Sequence, residues 1–263
     1  MIVDGKAIAE STMEELARKR SAFSRTPHLG IVVARGNAAT DSFVRIKERA
    51  AAQLNVELVR EELSQDATTE AVIAAVERLG RTCDGVIVQL PLPSPIDTDG
   101  VLAALPAQVD VDALGTSPVV YAPVAEAMLE IFARHDVEVR GKKAAVVGQG
   151  RLVGVPCSRA LSKAEADVEV FGEGDSLDAL LHADIIVSGA GVPGLIKPDM
   201  IREGVVLIDA GTSEQGGKLA GDADPACADK AFVFTPVPGG VGPISITMIF
   251  KNLFTLMESR KDK

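Results

Sequence analysis

Residues 146–156 read Val-Val-Gly-Gln-Gly-Arg-Leu-Val-Gly-Val-Pro, and the fold turns on how they are read. A short apolar run, Ala144 to Val147, stops at Gly148. A helix-like segment with Cys157, Ala160 and Leu161 follows the glycines. A strand that breaks into glycines and opens a helix brings backbone N–H groups up to a phosphate at the positive end of that helix. The spacing Gly148-x-Gly150-x-x-x-Gly154 is one residue longer than the usual dinucleotide fingerprint. A tight strand-to-helix turn without a ligand uses the same glycines, so the turn alone leaves both readings open.

Downstream, apolar runs predict strands at 167–171, 184–188, 205–209 and 231–234. With 144–147 they make five strands and a glycine turn after the first, the plan of a nucleotide-binding half. Upstream, residues 7–22 have a helical pattern that Pro27 ends, and Leu29–Ala34 reads as a buried strand. Gly36-Asn37 marks a turn, and Asp41-Ser42 is placed to cap a helix running to Leu54. Val56–Leu63 is a second strand, Thr68-Thr69 starts a helix to Leu79, and Gly85–Leu90 is a third strand stopped by Pro91 and Pro93. This β-α-β-α-β order predicts an α/β fold with a parallel sheet covered by helices on both faces. The Pro-, Asp- and Gly-marked region from Pro91 to Pro118 carries one short helix near Val101–Leu105. A helix over Pro123–Arg134 then marks a domain boundary, and a last helix is expected from Pro243 to Met257.

The chain has 263 residues, enough for two domains, and 47% hydrophobic content with 3% aromatics describes an aliphatic core. No apolar run reaches the roughly 18 residues of a membrane span, and Met1-Ile2-Val3-Asp4-Gly5-Lys6 is no signal sequence, so a cytoplasmic protein is expected. Cys83, Cys157 and Cys227 are scattered, as are His28, His135 and His182. Neither a disulfide framework, a metal site nor a Ser-His-Asp triad is supported. A formal charge of −10 argues against nucleic acid or an anionic membrane as partner.

Three further stretches carry chemistry. Ser42-Phe43-Val44-Arg45-Ile46-Lys47 sets a ring and an amine four apart, one above the other on a helix, although a helical lysine is most often a solvated charge. Val88-Gln89-Leu90-Pro91-Leu92-Pro93 puts an amide at the carboxyl end of a buried strand, where open α/β sheets bind ligands. Its bland role is to satisfy stray backbone groups of the turn. Thr235-Pro236-Val237-Pro238-Gly239-Gly240-Val241-Gly242-Pro243 is a rigid loop that permits close backbone approach.

In this order these stretches resemble the methylenetetrahydrofolate dehydrogenase/methenyltetrahydrofolate cyclohydrolase family over nearly the whole chain. Asp4-Gly5-Lys6-Ala7-Ile8-Ala9 is similar to the family's opening. Val88–Pro93 and Thr235–Pro243 are similar to its two most distinctive signatures. Ile208-Asp209-Ala210-Gly211 and Gly217–Asp222 fit its late strand and the turn after it.

The resemblance implies two α/β domains flanking a cleft. Residues 1–121 plus 243–263 would hold folate, and 122–242 would be Rossmann-like. It also implies a homodimer that oxidises 5,10-methylenetetrahydrofolate and hydrates the product to 10-formyltetrahydrofolate. Lys47 matches the catalytic lysine, Gln89 its hydrogen-bond partner, and Asp112 the aspartate that accepts from the pterin N–H groups. Phe43, Val88, Leu90, Pro91, Pro238, Gly239 and Gly240 would line the folate slot. Gly148, Gln149, Gly150, Arg151, Val153, Glu173, Gly191 and Thr212 would hold NAD(P)⁺.

The departures are specific. Phe43 stands where the family has Tyr, Asp110-Val111-Asp112-Ala113 replaces Asp-Val-Asp-Gly, and Tyr121-Ala122-Pro123-Val124 replaces Pro-Cys-Thr-Pro. Gln149-Gly150 replaces Arg-Ser, and Gly172-Glu173-Gly174-Asp175 replaces the His-Ser-x-Thr that helps grip a 2′-phosphate. An acidic side chain there suits a free ribose 2′-hydroxyl, which favours NAD⁺, while Arg151 offers partial compensation. Two other readings stand beside the bifunctional one: a monofunctional relative, and a binding protein without turnover. The retained Lys47, Gln89 and Asp112 argue against the last.

Overall fold

The computed structural model describes residues 1–34, 38–215 and 218–261. The turn expected at Gly36-Asn37 therefore lies outside the described residues, as does Gly217. In chain order the elements are α1 (Gly5–Arg20), β1 (His28–Ala34), α2 (Ala38–Gln53), β2 (Glu57–Leu63), α3 (Thr69–Thr82), β3 (Gly85–Val88), α4 (Thr98–Ala103) and α5 (Pro123–Arg134). They continue with β4 (Lys143–Val147), α6 (Gly154–Lys163), β5 (Asp167–Phe171), β6 (Ile185–Ser188), β7 (Val206–Asp209), β8 (Ser213–Gln215), β9 (Lys218–Ala220), β10 (Val233–Phe234) and α7 (Val241–Lys261).

The chain divides into two compact units: Ser11–Pro123 with Ile246–Lys263, and Met1–Glu10 with Val124–Ser245. In the first, β2-β1-β3 form a parallel sheet. Strand β1 alternates strictly. Leu29, Ile31 and Val33 pack with Leu54, Phe250 and Phe254 on one face, and Val32 and Ala34 with Val76 and Val101 on the other. Both faces are covered, which is why the sequence shows a continuous apolar run rather than a half-polar one. Edge strand β2 is charged, with Glu57, Arg60, Glu61 and Glu62, which discourages pairing with another chain.

Two boundaries move for physical reasons. Helix α2 begins at Ala38, ahead of the expected cap, so Asp41 lies in its first turn and complements the helix dipole. Strand β3 ends at Val88, because Pro91 lacks a donor and constrains Leu90 before it. The Gln89 N–H still reaches Val32 O at 3.0 Å.

In the second unit five parallel strands run in the order β10-β7-β6-β4-β5. From β4 the chain passes through α6 to β5 on one side, then returns to β6 on the other. The order therefore reverses between β4 and β6, and a crevice opens at their carboxyl ends. Residues 1–3 run beside β10: Val3 N–H donates to Phe234 O at 2.8 Å, and Phe234 N–H to Met1 O at 2.9 Å. This pairing is why residues 1–10, expected in the folate domain, group here. The stretch after β7, expected as a turn, forms the antiparallel β8–β9 pair, whose three-residue strands are too short to display a period. Helix α7 starts two residues before Pro243, which still lies among the first four N–H positions that need no helical partner.

Candidate functional site

The first unit brings three of the expected residues together. On α2 the buried stripe runs Val44, Lys47, Ala51 and continues to Leu54 just past its end, so Lys47 occupies a core position and is 8% exposed. Its Nζ donates to Gln89 Oε1 at 2.8 Å, and Gln89 Nε2 donates to Leu90 O at 2.7 Å. An ammonium can only donate, which fixes the orientation of the amide. Burial lowers the Lys47 pKa, while the Asp112 charge opposes that shift. Burial raises the Asp112 pKa to about 6, against the pull of Lys47 and with a further push from Asp110. The result is a desolvated amine beside a carboxyl that ionises only near neutrality, an arrangement suited to moving protons.

Asp112 is held by its neighbours. Val86 N–H donates to Val109 O at 2.6 Å, so residues 109–110 lie along the outer edge of β3. Fully buried Asp110 folds the next turn over itself, its Oδ2 accepting from Gly115 N–H at 2.7 Å. Ala113 takes φ +55°, a conformation in which the family pattern has glycine. From α7, Asn252 Nδ2 donates to both Val111 O and Tyr121 O at 2.8 Å. Neither Asp110 nor Asn252 emerged from the sequence as a site residue. An amide among Ile249, Phe250, Leu253 and Phe254 was the available signal.

The remaining folate-slot residues divide. Phe43 is half exposed, Pro91 is exposed, and Leu90 packs partly on the core. Val88 is buried in that core, which leaves its backbone, not its side chain, to face a ligand. Pro238, Gly239 and Gly240 belong to the second unit. There Gly239 has φ +106° and its carbonyl accepts from Gly5 N–H at 2.9 Å. A Cβ at Gly5 would come within 1.9 Å of Gly240 O, so the loop requires glycine there.

The glycine turn lies at the carboxyl end of β4. Gly148 has φ +101°, and a Cβ on it would sit 2.7 Å from Gly189 O. A Cβ on Gly154 would meet Gly148 O at 1.9 Å, so the start of α6 packs directly on the turn. At Gly150 nothing lies within 4 Å of the Cβ position, and no side chain caps α6 at Val153. An open glycine backbone ahead of an uncapped helix fits a dinucleotide phosphate. Gln149, Arg151, Glu173, Gly191 and Thr212 are exposed, and Val153 is part-buried. At the end of β5, Asp175 Oδ2 accepts from Gly172 N–H at 2.7 Å, and Gln149 Nε2 lies 3.0 Å from the Cβ position of Gly172. Among the described residues no cluster of His, Cys, Asp and Glu is placed to hold a metal ion, and no helix is long and apolar enough to cross a membrane.

Two family models match the chain. Residues 3–112 match the tetrahydrofolate dehydrogenase/cyclohydrolase catalytic domain, and residues 122–261 the NAD(P)-binding domain of the same family. The bifunctional protein FolD of Methanoculleus marisnigri is 36% identical over 275 residues, spanning 99% of this chain and 97% of that one. Among solved structures, the bifunctional FolD of Campylobacter jejuni superposes with a TM-score of 0.94 at 27% identity, covering 99% of each chain. FolD of Trypanosoma brucei, solved with NADP cofactor and inhibitor, gives 0.92 at 31% identity, covering 100% of this chain and 99% of that one.

Proposed function

The chain belongs to the tetrahydrofolate dehydrogenase/cyclohydrolase family, and from that premise we propose that it oxidises 5,10-methylenetetrahydrofolate to the 5,10-methenyl form with a nicotinamide dinucleotide and hydrolyses the methenyl form to 10-formyltetrahydrofolate. The observation that carries the reading is the buried hydrogen bond from Lys47 to Gln89, beside the carboxyl of Asp112.

Gly148, Gly150 and the uncapped start of α6 would hold the dinucleotide, which would supply the acceptor for the hydride of the bridging carbon. Asp112 holds the pterin by accepting from its amino and ring N–H groups, a bidentate contact natural to a carboxylate. Lys47 serves the hydrolysis. Of the two protons on the attacking water, one passes through Lys47 to the ring nitrogen that leaves the carbon, and the other is released. A lysine with a lowered pKa is suited to take and return that proton near neutral pH. Gln89 keeps the amine aimed. Phe43 retains a ring for the aminobenzoyl group but lacks the tyrosine hydroxyl, so its effect falls on the balance between the two reactions.

The preferred cofactor in this reading is NAD⁺. The carboxyl end of β5 carries Glu173 and Asp175, and the turn beside it carries Gln149 and Gly150. Carboxylates there suit a ribose 2′-hydroxyl and repel a phosphate. A cytoplasmic homodimer is part of the same proposal, and sedimentation of the purified protein would test the dimer.

The deciding experiment follows nicotinamide reduction with methylenetetrahydrofolate and each dinucleotide, and methenyl decay with neither. Both reactions are expected, with higher kcat/KM for NAD⁺. Higher efficiency with NADP⁺ would overturn the cofactor reading. Folate binding without turnover in either assay would overturn the enzyme.

A further inference from the structure

Two carboxylates of the second unit are fully enclosed and are not needed by the chemistry above. Asp222 is 0% exposed, and its oxygens collect three donors. Oδ2 accepts from Ser188 Oγ at 2.7 Å and Ala190 N–H at 2.7 Å, and Oδ1 accepts from Val192 N–H at 2.9 Å. Asp209 is 1% exposed and accepts from Gly211 N–H at 2.9 Å and Ala223 N–H at 2.8 Å. Each occupies space left by a glycine. A Cβ on Gly211 would lie 2.2 Å from Asp222 Cγ, and one on Gly221 would lie 2.1 Å from Asp209 Oδ2.

The donors to Asp222 belong to the end of β6 and the loop Gly189–Val192 after it. That loop stands at the crevice where the strand order reverses. It also touches the glycine turn on the far side. Gly148 approaches Gly189 O so closely that a Cβ on it would come within 2.7 Å, and a Cβ on Gly189 would meet Val153 Cγ1 at 2.4 Å. A shift of the loop is therefore felt at Gly148 and Val153. Gly191, in the same loop at φ +71°, is further fixed by Ser213 Oγ donating to its carbonyl at 2.8 Å.

We propose that Asp222 is a positioning residue for the nicotinamide cofactor: from beneath, it holds the Gly189–Val192 loop in the shape that the dinucleotide turn packs against. The inference rests on the cofactor reading above. The carboxylate is required because all three groups facing it donate. Asparagine keeps the size but turns an NH₂ toward a donor, which frees one side of the loop.

The test compares wild type, Asp222→Asn and Ser188→Ala. One readout is equilibrium binding of NADH and NADPH, followed by their own fluorescence in a protein without tryptophan. The other is methenyltetrahydrofolate hydrolysis with no nicotinamide present. Asp222→Asn is expected to bind the preferred dinucleotide about tenfold more weakly, and Ser188→Ala about threefold, as expected for losing a charge-assisted bond and one neutral partner of it. Hydrolysis is expected to stay within about twofold of wild type in both. If Asp222→Asn does not fold, Ser188→Ala carries the test. Unchanged dinucleotide binding in the variants, with wild type binding normally, overturns the inference alone. Hydrolysis that falls in parallel with binding overturns it too, since Asp222 would then serve the fold at large. A wild-type protein that binds neither dinucleotide overturns the cofactor reading and this inference with it.

Discussion

Lys47 Nζ donates to Gln89 Oε1 at 2.8 Å, joining a helix and a strand end 42 residues apart in sequence. The bond does two things for the amine. It gives a buried ammonium a neutral partner, which fixes direction without adding the full counter-charge that would keep the proton on. It also ties the reactive group to the residue that follows β3, whose Val86 and Val88 pack on one face of the sheet and Ile87 on the other.

Activity should fall on the acid side as Asp112 takes up a proton. Burial holds its pKa at about 6, and the pterin N–H groups need the ionised form. The kcat/KM for methylenetetrahydrofolate is therefore expected to drop close to tenfold per pH unit below about pH 6, as loss of a single ionisation requires. A profile flat down to about pH 4.5 would remove Asp112 from substrate recognition. The same shift works against the fold. The folded protein keeps a proton that the unfolded chain releases, so the stability tied to Asp112 is present below the ordinary aspartate range and lost as pH rises through about 6.

Ala113→Gly should stabilise the protein. Ala113 is held at φ +55°, which costs a residue with a Cβ about 1–2 kcal/mol, while glycine's extra freedom in the unfolded chain returns part of that. A net gain of roughly 0.5 kcal/mol is expected in the unfolding free energy, seen as a higher urea midpoint. A lower midpoint would mean that the turn over Asp110 owes its shape to the alanine side chain.

Asn252→Leu should destabilise the protein despite adding apolar surface. It strips the buried carbonyl of Val111 of its donor, at about 1–3 kcal/mol, and the part-buried carbonyl of Tyr121 of the same donor at a smaller cost. Because Val111 precedes Asp112, the KM for folate is expected to rise more than kcat falls. An unchanged urea midpoint would show that water replaces the amide freely.

Much of this was legible in sequence because it is local. The apolar run Leu29–Ala34, the glycines at 148, 150 and 154 and the Gln89-Leu90-Pro91 stop each declare themselves within a few residues. Lys47 was half legible. Its amine reads as solvent-facing by residue type, yet it stands on the stripe of Val44, Ala51 and Leu54. The supporting shell was not legible, because its bonds are long-range. Asn252 reaches back 141 residues to Val111, and Asp222 reaches back 34 to Ser188. A buried aspartate and a loop aspartate look alike until the glycines that make room for them are seen in place. The β8–β9 pair was missed because three residues per strand carry no usable period.

The most direct measurement is methenyltetrahydrofolate hydrolysis by Lys47→Met, without nicotinamide, alongside a urea titration of the same variant. Methionine fills the volume of the lysine stem, and Asp112, left without the Lys47 charge, is free to take up a proton, so the variant is expected to fold. The account predicts a folded protein whose hydrolysis rate is down by about 100-fold or more, the usual weight of a positioned acid–base group. A folded Lys47→Met protein hydrolysing within about twofold of wild type would contradict it.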